Sequence, residues 1–192
     1  MKICIFGGSF NPPHLGHVLI SMFVKEQFAF ERFVIIPSFI PPHKENEKIA
    51  TFEKRFEWLN RIFEDVSDIE RRLGGKSYTL KTLRYIKDET PDSKLYLLIG
   101  EDSFHNLPTW YEYEKIFDLS DIIVYPRFCE KNYMNDLKIT LKKYWQRIIF
   151  LDTPLIQISS TLIRERVKEG KDVSHMLPAS ILEDVINTYT ER

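Results

Sequence analysis

The chain has no run of eighteen apolar residues, which excludes a membrane-spanning helix by length alone. It has only two cysteines, Cys4 in an apolar run and Cys129 in a polar segment. Neither shows disulfide-framework or metal-type spacing, so free thiols in a reducing cytoplasm are expected. Net charge is scarce as well: 27 basic residues face 28 acidic ones, leaving −1. No overall field would draw in nucleic acid or an anionic membrane, and no basic stripe appears, so any anion site must be local. The first apolar run begins by Ile3, so no signal peptide is expected. Internal repeats and low-complexity tracts are also missing. What remains is ordinary globular material, 43% hydrophobic over 192 residues, enough for one domain with its own core.

Five short apolar runs read as strands: Ile3–Phe6, Phe33–Ile36, Leu95–Ile99, Ile122–Tyr125 and Ile148–Leu151. They are continuous rather than alternating, as in a parallel sheet covered on both faces. Helical spacing fills the gaps. Leu15, Val18, Leu19, Met22 and Phe23 predict an apolar stripe on a helix over 15–28. Phe52, Phe56, Leu59 and Phe63 space a second, and Leu80, Leu83, Tyr85 and Ile86 a third that ends before Pro91. A closing helix is expected over 179–189, packing through Leu182, Val185 and Ile186, whereas 130–138 reads as a polar surface excursion. Strand–helix alternation predicts an α/β, doubly wound, Rossmann-like parallel sheet in one domain, 1–192, with a C-terminal helical part over 155–192.

Such sheets hold ligands beyond the carboxyl ends of their strands, and every unusual segment falls there. After the first strand come Gly7-Gly8-Ser9-Phe10-Asn11-Pro12-Pro13-His14-Leu15-Gly16-His17. Glycines let the backbone approach an anion, and a helix N-terminus points free N–H groups at it. His14 and His17 share a face of that helix's first turn, with Gly16 between them expected to leave room for a bulky anion. Metal ligation is disfavoured, since no third Cys, His or carboxylate stands at ligand spacing. Near the other end, Ser159-Ser160-Thr161 opens a short helix closed by Gly170. Serine there can simply cap the helix, but hydroxyls and free N–H groups also make an anion cradle, and Arg164 lies one turn in.

The first stretch resembles the H-x-G-H nucleotidyltransferase signature in its G-x-F-x-P-x-H-x-G-H form. Ile158-Ser159-Ser160-Thr161-Leu162-Ile163-Arg164 resembles the second motif of that superfamily, S-S-T-x-[IV]-R. Pro41-Pro42-His43-Lys44, Ser77-Tyr78-Thr79, Gly100-Glu101-Asp102 and Leu107-Pro108-Thr109-Trp110-Tyr111 resemble the nicotinate-nucleotide adenylyltransferases in order and spacing across nearly the whole chain. The resemblance implies an enzyme of NAD biosynthesis that joins ATP to nicotinate mononucleotide. The products would be nicotinic acid adenine dinucleotide and pyrophosphate, and Mg²⁺ would be carried by the ATP phosphates. It implies no nucleic-acid or membrane partner, and it is compatible with a homo-oligomer.

The resemblance also distributes roles. His14, His17, Lys44 and Arg164 would be catalytic, neutralising charge on the phosphates. Gly7, Gly8, Ser9, Phe10, Gly100, Asp102, Ser159, Ser160 and Thr161 would join the histidines and Arg164 on ATP. Ser9, Lys44, Thr79, Trp110 and Tyr111 would hold the mononucleotide. Physically, Trp110 offers a π-face to a pyridinium cation. Thr79 and a backbone N–H near Tyr111 suit a carboxylate, although Thr79 could equally be a helix N-cap. Asp102 suits ribose or adenine. Nicotinamide mononucleotide, another H-x-G-H reaction, and a non-catalytic nucleotide-binding regulator are the alternatives. Glu101 and Gly74-Gly75-Lys76 depart from the family pattern, and the 128–138 segment has no family role.

Overall fold

A computed structural model describes residues 1–41, 49–127 and 133–190. Strands β1 (Lys2–Gly8), β2 (Arg32–Pro37), β3 (Lys94–Gly100), β4 (Ser120–Tyr125) and β5 (Ile148–Phe150) form one parallel sheet. Their order is β2-β1-β3-β4-β5. Each run expected to be a strand is one. The helices are α1 (Leu15–Gln27), α2 (Phe52–Asn60), α3 (Ile69–Leu73), α4 (Thr79–Glu89), α5 (Glu101–His105), α6 (Tyr113–Leu119), α7 (Tyr133–Thr140), α8 (Ser160–Lys168) and α9 (Leu182–Thr190). None among the described residues is long and apolar enough to cross a membrane.

Alternation along the strands separates two cores. Ile3, Ile5, Leu95, Leu97, Ile99, Ile122 and Val124 pack in one cluster under α4, α6 and α7. Cys4, Phe6, Ile35, Leu98 and Ile123 pack in another under α1. Successive residues of a strand face opposite sides, so these clusters lie on the two faces of the sheet. This explains why the strands read as continuous apolar runs. A third cluster joins Trp58 of α2 to Ile163, Val167, Val173, Leu177, Ile181, Val185 and Tyr189.

Three local expectations are corrected. On α1 the buried residues are Gly16, Ile20, Ser21 and Val24, while Leu19 and Met22 stay 37% and 42% exposed. The His17 ring packs 4.9 Å from Phe10 and 5.8 Å from Phe6, which turns the 17/20/24 face toward the sheet instead. On α2 the buried set is Phe52, Arg55, Trp58 and Leu59, so an arginine and a tryptophan take places expected of Phe56 and Phe63. The supposed excursion over 130–138 is, from Tyr133, helix α7, and Leu137 and Leu141 anchor it in the core. Two apolar anchors four residues apart are too sparse a pattern to mark a helix among so many polar neighbours.

The C-terminal part holds the loop after β1 from behind. The Tyr189 hydroxyl donates to Asn11 Oδ1 at 2.5 Å, and Leu15 N–H donates to the Met176 carbonyl at 2.9 Å. Trp58 Nε1 and the Lys54 ammonium both reach Asp184 of α9, at 3.0 and 2.6 Å. Removing one such buried bond costs about 1 kcal/mol, or about 2–4 °C in a chain of this length. Tyr189→Phe is therefore expected to lower Tm by that amount in a thermal melt.

Candidate active site

The strand order reverses between β1 and β3, because β2 lies on one side of β1 and β3 on the other. At such a point the loops leaving the two strands diverge and open a crevice. A cavity of about 760 Å³ opens there. It is lined by Gly7–Phe10, His14 and His17 from the β1 exit, by Gly100 and Asp102 from the β3 exit, and by Ser159–Thr161. Thr79, Trp110 and Tyr111 line it as well. The segments therefore gather on one rim, as their positions after the strands suggested.

The loop that carries the histidines is clamped from inside. Arg55 is 1% exposed, and its guanidinium donates to the carbonyls of Ser9, Ser38 and Ala50 at 2.7, 2.8 and 3.0 Å. Burial pulls its pKa down to about 10, which leaves it charged at neutral pH. Asn11 is fully buried, and its Oδ1 also accepts from Ala50 N–H at 2.9 Å. Phe10 takes a left-handed φ of 46° with its side chain buried. A Cβ on Gly8 would stand 3.3 Å from that ring, so glycine there admits Phe10.

His14 and His17 stack with ring centroids 3.7 Å apart. The His14 backbone N–H donates to His17 Nδ1 at 3.1 Å. That nitrogen must be unprotonated to accept, so the ring proton sits on Nε2 as a neutral donor. Burial, then His14, then the Arg127 cation hold His17 well below the usual histidine pKa. Burial and Arg127 push His14 down to about 3. His14 Nδ1 is buried with no hydrogen-bond partner among the described residues. The room expected over Gly16 is filled: a Cβ there would lie 2.9 Å from the His14 ring, so the glycine admits that imidazole rather than an anion.

Other expected residues divide in their roles. Ser159 caps α8 by accepting from Leu162 N–H at 3.1 Å, and Ser160 Oγ donates to the Pro12 carbonyl at 2.8 Å. Ser160 thus docks α8 on the β1 loop, and the helix N-terminus faces the cavity. Arg164 is not among the lining residues. It donates to the Asn11 carbonyl at 2.8 Å and to Thr161 Oγ1 at 3.3 Å, bracing the loop from behind. Lys44 and His43 lie outside the described residues. Thr79 is the first residue of α4 and Tyr78 takes the N-cap position, so Thr79 does not serve as the cap. Trp110 follows a 3-10 turn over Leu107–Thr109, packing on the core while it lines the cavity. Tyr111 is half exposed and sets its ring 4.8 Å from Tyr78. A Cβ on Gly100 would collide with Asp102 Oδ1, so this glycine lets the Asp102 carboxylate fold back beside Tyr125. Burial and that carboxylate push the Tyr125 hydroxyl up to about 12.

Arg127 was not among the expected site residues, although it follows β4 on the same rim. It lines the cavity and depresses both imidazoles. Its guanidinium donates to the Ile158 carbonyl at 3.1 Å, and its backbone N–H donates to Glu101 Oε2 at 3.0 Å. Glu101 therefore ties the β3 exit to the β4 exit. Gly74 and Gly75 take φ of 67° and 69°, a left-handed turn that other residues rarely adopt and that leads into Ser77.

A family model described as cytidylyltransferase-like matches residues 5–166. A "Probable nicotinate-nucleotide adenylyltransferase" of Thermotoga maritima is 43% identical over 189 residues, covering 96% of this chain and 90% of its own. The chain belongs to the nicotinate-nucleotide adenylyltransferase family. A member of the same name from Desulfitobacterium hafniense is 35% identical over 187 residues, covering 94% of this chain and 90% of its own. Among solved structures, a Plasmodium falciparum nicotinic acid mononucleotide adenylyltransferase complexed with NaAD superposes with a TM-score of 0.73. It is 19% identical, covers 99% of this chain and 96% of its own, and so speaks for the fold. Within this family fold the histidine pair of the signature is neutral, stacked and backed by Arg127.

Both imidazoles bind protons less readily in the folded chain than in the unfolded one, whose histidines titrate near pH 6.5. Below that pH the unfolded state takes up more protons, so stability is full above it and falls with acid, by up to about 1.4 kcal/mol per pH unit for each histidine. Urea unfolding between pH 7 and 5 is expected to show this loss, and His17→Asn to reduce its slope. Ring ¹⁵N shifts are expected to report His17 as the Nε2–H tautomer throughout that range.

Proposed function

We propose that the chain transfers the adenylyl group of ATP to nicotinate mononucleotide, releasing pyrophosphate and forming nicotinic acid adenine dinucleotide, a step of NAD biosynthesis. The observation that carries this reading is the neutral histidine pair beside Arg127, in one cavity with Thr79 and Trp110. Relatives 35–43% identical over nearly the whole chain bear the name of this activity, which supports it.

The mononucleotide 5′-phosphate oxygen attacks the α-phosphorus of ATP. A new oxygen–phosphorus bond forms as the bond to the β-phosphate breaks, and the pair of electrons leaves with pyrophosphate. The nucleophile is already anionic, so neither a general base nor a covalent intermediate is required, and the protein acts by positioning and by charge stabilisation. His17, held as an Nε2–H donor, and His14 meet the charge developing between the α- and β-phosphates. Arg127 supplies a cation, and the N-terminus of α8 supplies backbone N–H groups. Lys44 takes the role expected from its motif, a phosphate cation, whereas Arg164 acts through its hold on the Asn11 carbonyl instead of on the phosphates. Asp102 takes the adenosine side.

Among the described residues no three His, Cys, Asp or Glu side chains converge as a metal cage. A divalent cation therefore fits on the triphosphate itself, where Mg²⁺ would neutralise phosphate charge. At the other end of the cavity, the Trp110 face accepts the pyridinium ring. The Thr79 hydroxyl and a backbone N–H near Tyr111 donate to its carboxylate. An amide in that place would leave a buried polar group mismatched, at about 1–3 kcal/mol.

Pyrophosphate release with ATP and either nicotinate or nicotinamide mononucleotide, run in parallel, tests the reading. Preference for the acid is expected, and preference for the amide would refute the Thr79 assignment. His17→Ala is expected to lower kcat about 10²–10³-fold with little change in ATP affinity, because one preorganised donor to the transition state is lost.

A further inference from the structure

One acid in the cavity has no part in the reaction as written. Glu70, on the short helix α3, lines the mononucleotide end and is largely buried. Its Oε1 accepts from Thr82 Oγ1 at 3.0 Å, and its Oε2 accepts from Phe39 N–H at 3.3 Å. Ser77 Oγ faces the same carboxylate and favours its charged form. That hydroxyl already accepts from Phe39 N–H at 2.8 Å and from Ile40 N–H at 3.2 Å, so its one proton is directed to Glu70. All three partners of Glu70 are thus donors. An ionised carboxylate, which accepts on both oxygens and donates on neither, meets all of them, and these bonds offset the burial that raises the Glu70 pKa above the usual carboxylate range.

These bonds join chain segments that are distant in sequence. Phe39 and Ile40 belong to the loop after β2, Ser77 precedes α4, and Thr82 lies in its first turns. Thr79 sits between Ser77 and Thr82, so the backbone that presents it is held on both sides. On the far side of the loop, Arg55 of α2 grips the Ser38 carbonyl at 2.8 Å and faces Glu70 electrostatically. Glu70 and Arg55 therefore hold one loop from two directions, one by its N–H and the other by its carbonyl.

We infer that Glu70 is a positioning residue for the mononucleotide: as an acceptor-only group it ties the loop after β2 to the start of α4 and fixes how Thr79 meets the substrate carboxylate. This rests on the adenylyl-transfer reading above. The substitution that isolates the chemistry is Glu70→Gln, which keeps the shape and puts an NH₂ donor among donors. Phe39 N–H cannot rotate away, so the amide must give it the oxygen and its NH₂ must face Thr82, whose hydroxyl then has to turn from donor to acceptor, which loosens the tie between the loop and α4.

The experiment measures steady-state kinetics of the full chain with ATP and each mononucleotide. For Glu70→Gln, KM for nicotinate mononucleotide is expected to rise about tenfold and the preference for acid over amide to shrink. The KM for ATP should stay within about twofold and kcat within about threefold. Ser77→Ala, a milder cut in the same network, should shift the same parameter in the same direction, and the double variant should be no worse than Glu70→Gln alone. A general loss of structure would instead raise both KM values and lower Tm together. That outcome, an unchanged KM for the mononucleotide, or additive effects in the double variant, overturns the inference. If Glu70→Gln fails to fold, Ser77→Ala decides it by the same split between the two KM values. Absence of pyrophosphate release by the unsubstituted chain with both mononucleotides would overturn the adenylyl-transfer reading itself, and is told apart from failure of the Glu70 inference by that control.

Discussion

The cavity depends on one constraint: the carbonyls of the loop after β1 are held from behind. Ser9 O is bound by Arg55, Asn11 O by Arg164 and Pro12 O by Ser160, while the Asn11 side chain receives Tyr189 and Ala50. A loop of this kind would ordinarily lie on the surface, because buried backbone polar groups need partners. Here the partners come from α2, from α8 and from the last helix. The backbone can therefore stay buried while its functional side chains turn outward. The cluster formed by Trp58, Ile163, Val167, Val185 and Tyr189 is the apolar counterpart of these bonds. It seats α8 and α9 where their polar groups can reach the loop.

The second consequence concerns charge. A buried imidazolium beside Arg127 would be doubly unfavourable, through desolvation and through repulsion. The structure keeps both imidazoles neutral and orients one of them through a backbone N–H. A neutral N–H donor interacts modestly with a ground-state phosphate and more strongly as negative charge accumulates on the bridging oxygen. That difference is what accelerates a reaction. Arg127 then supplies the formal positive charge, anchored through its guanidinium on the Ile158 carbonyl and through its backbone on Glu101. The division of labour follows from burial: the deeper groups are neutral dipoles, and the cation stands at the β4 exit with carbonyls around it.

The sheet was legible because each strand is buried on both faces and so reads as an unbroken apolar run. The motifs beyond β1 and at the start of α8 were legible because their spacing is dense in chemically restrictive residues. What escaped was set by tertiary context. The buried face of α1 was misplaced because a stack of two histidines against Phe6 and Phe10, not an apolar count, orients that helix. Arg55 went unmarked, since nothing local reveals three carbonyls drawn from distant loops. Glu70 was invisible for the same reason, its partners lying at Phe39, Ser77 and Thr82. Gly16 was assigned to ligand space that the His14 ring itself occupies. Arg127 was within reach: the rule that singled out the strand ends places Pro126-Arg127 on the same rim, and only its role went unassigned.

The rim behaves as one connected body because its bonds close a circuit around the crevice. The β1 exit is joined to α8 through Ser160 and Pro12, and the segment before α8 is joined to the β4 exit through Arg127 and Ile158. The β4 exit is in turn joined to the β3 exit through Arg127 N–H and Glu101. β3 then lies beside β1 in the sheet, which completes the loop. A displacement of any one strand end must therefore carry its neighbours with it. For a reaction governed by the relative placement of two phosphates, this matters more than the strength of any single contact, since small errors in placement cost large factors in rate. Glu101 then has a physical reason to stand where it does: its carboxylate reaches the backbone of the neighbouring strand exit, and this bond helps to hold the arginine beyond β4 on the same cavity as the histidines beyond β1.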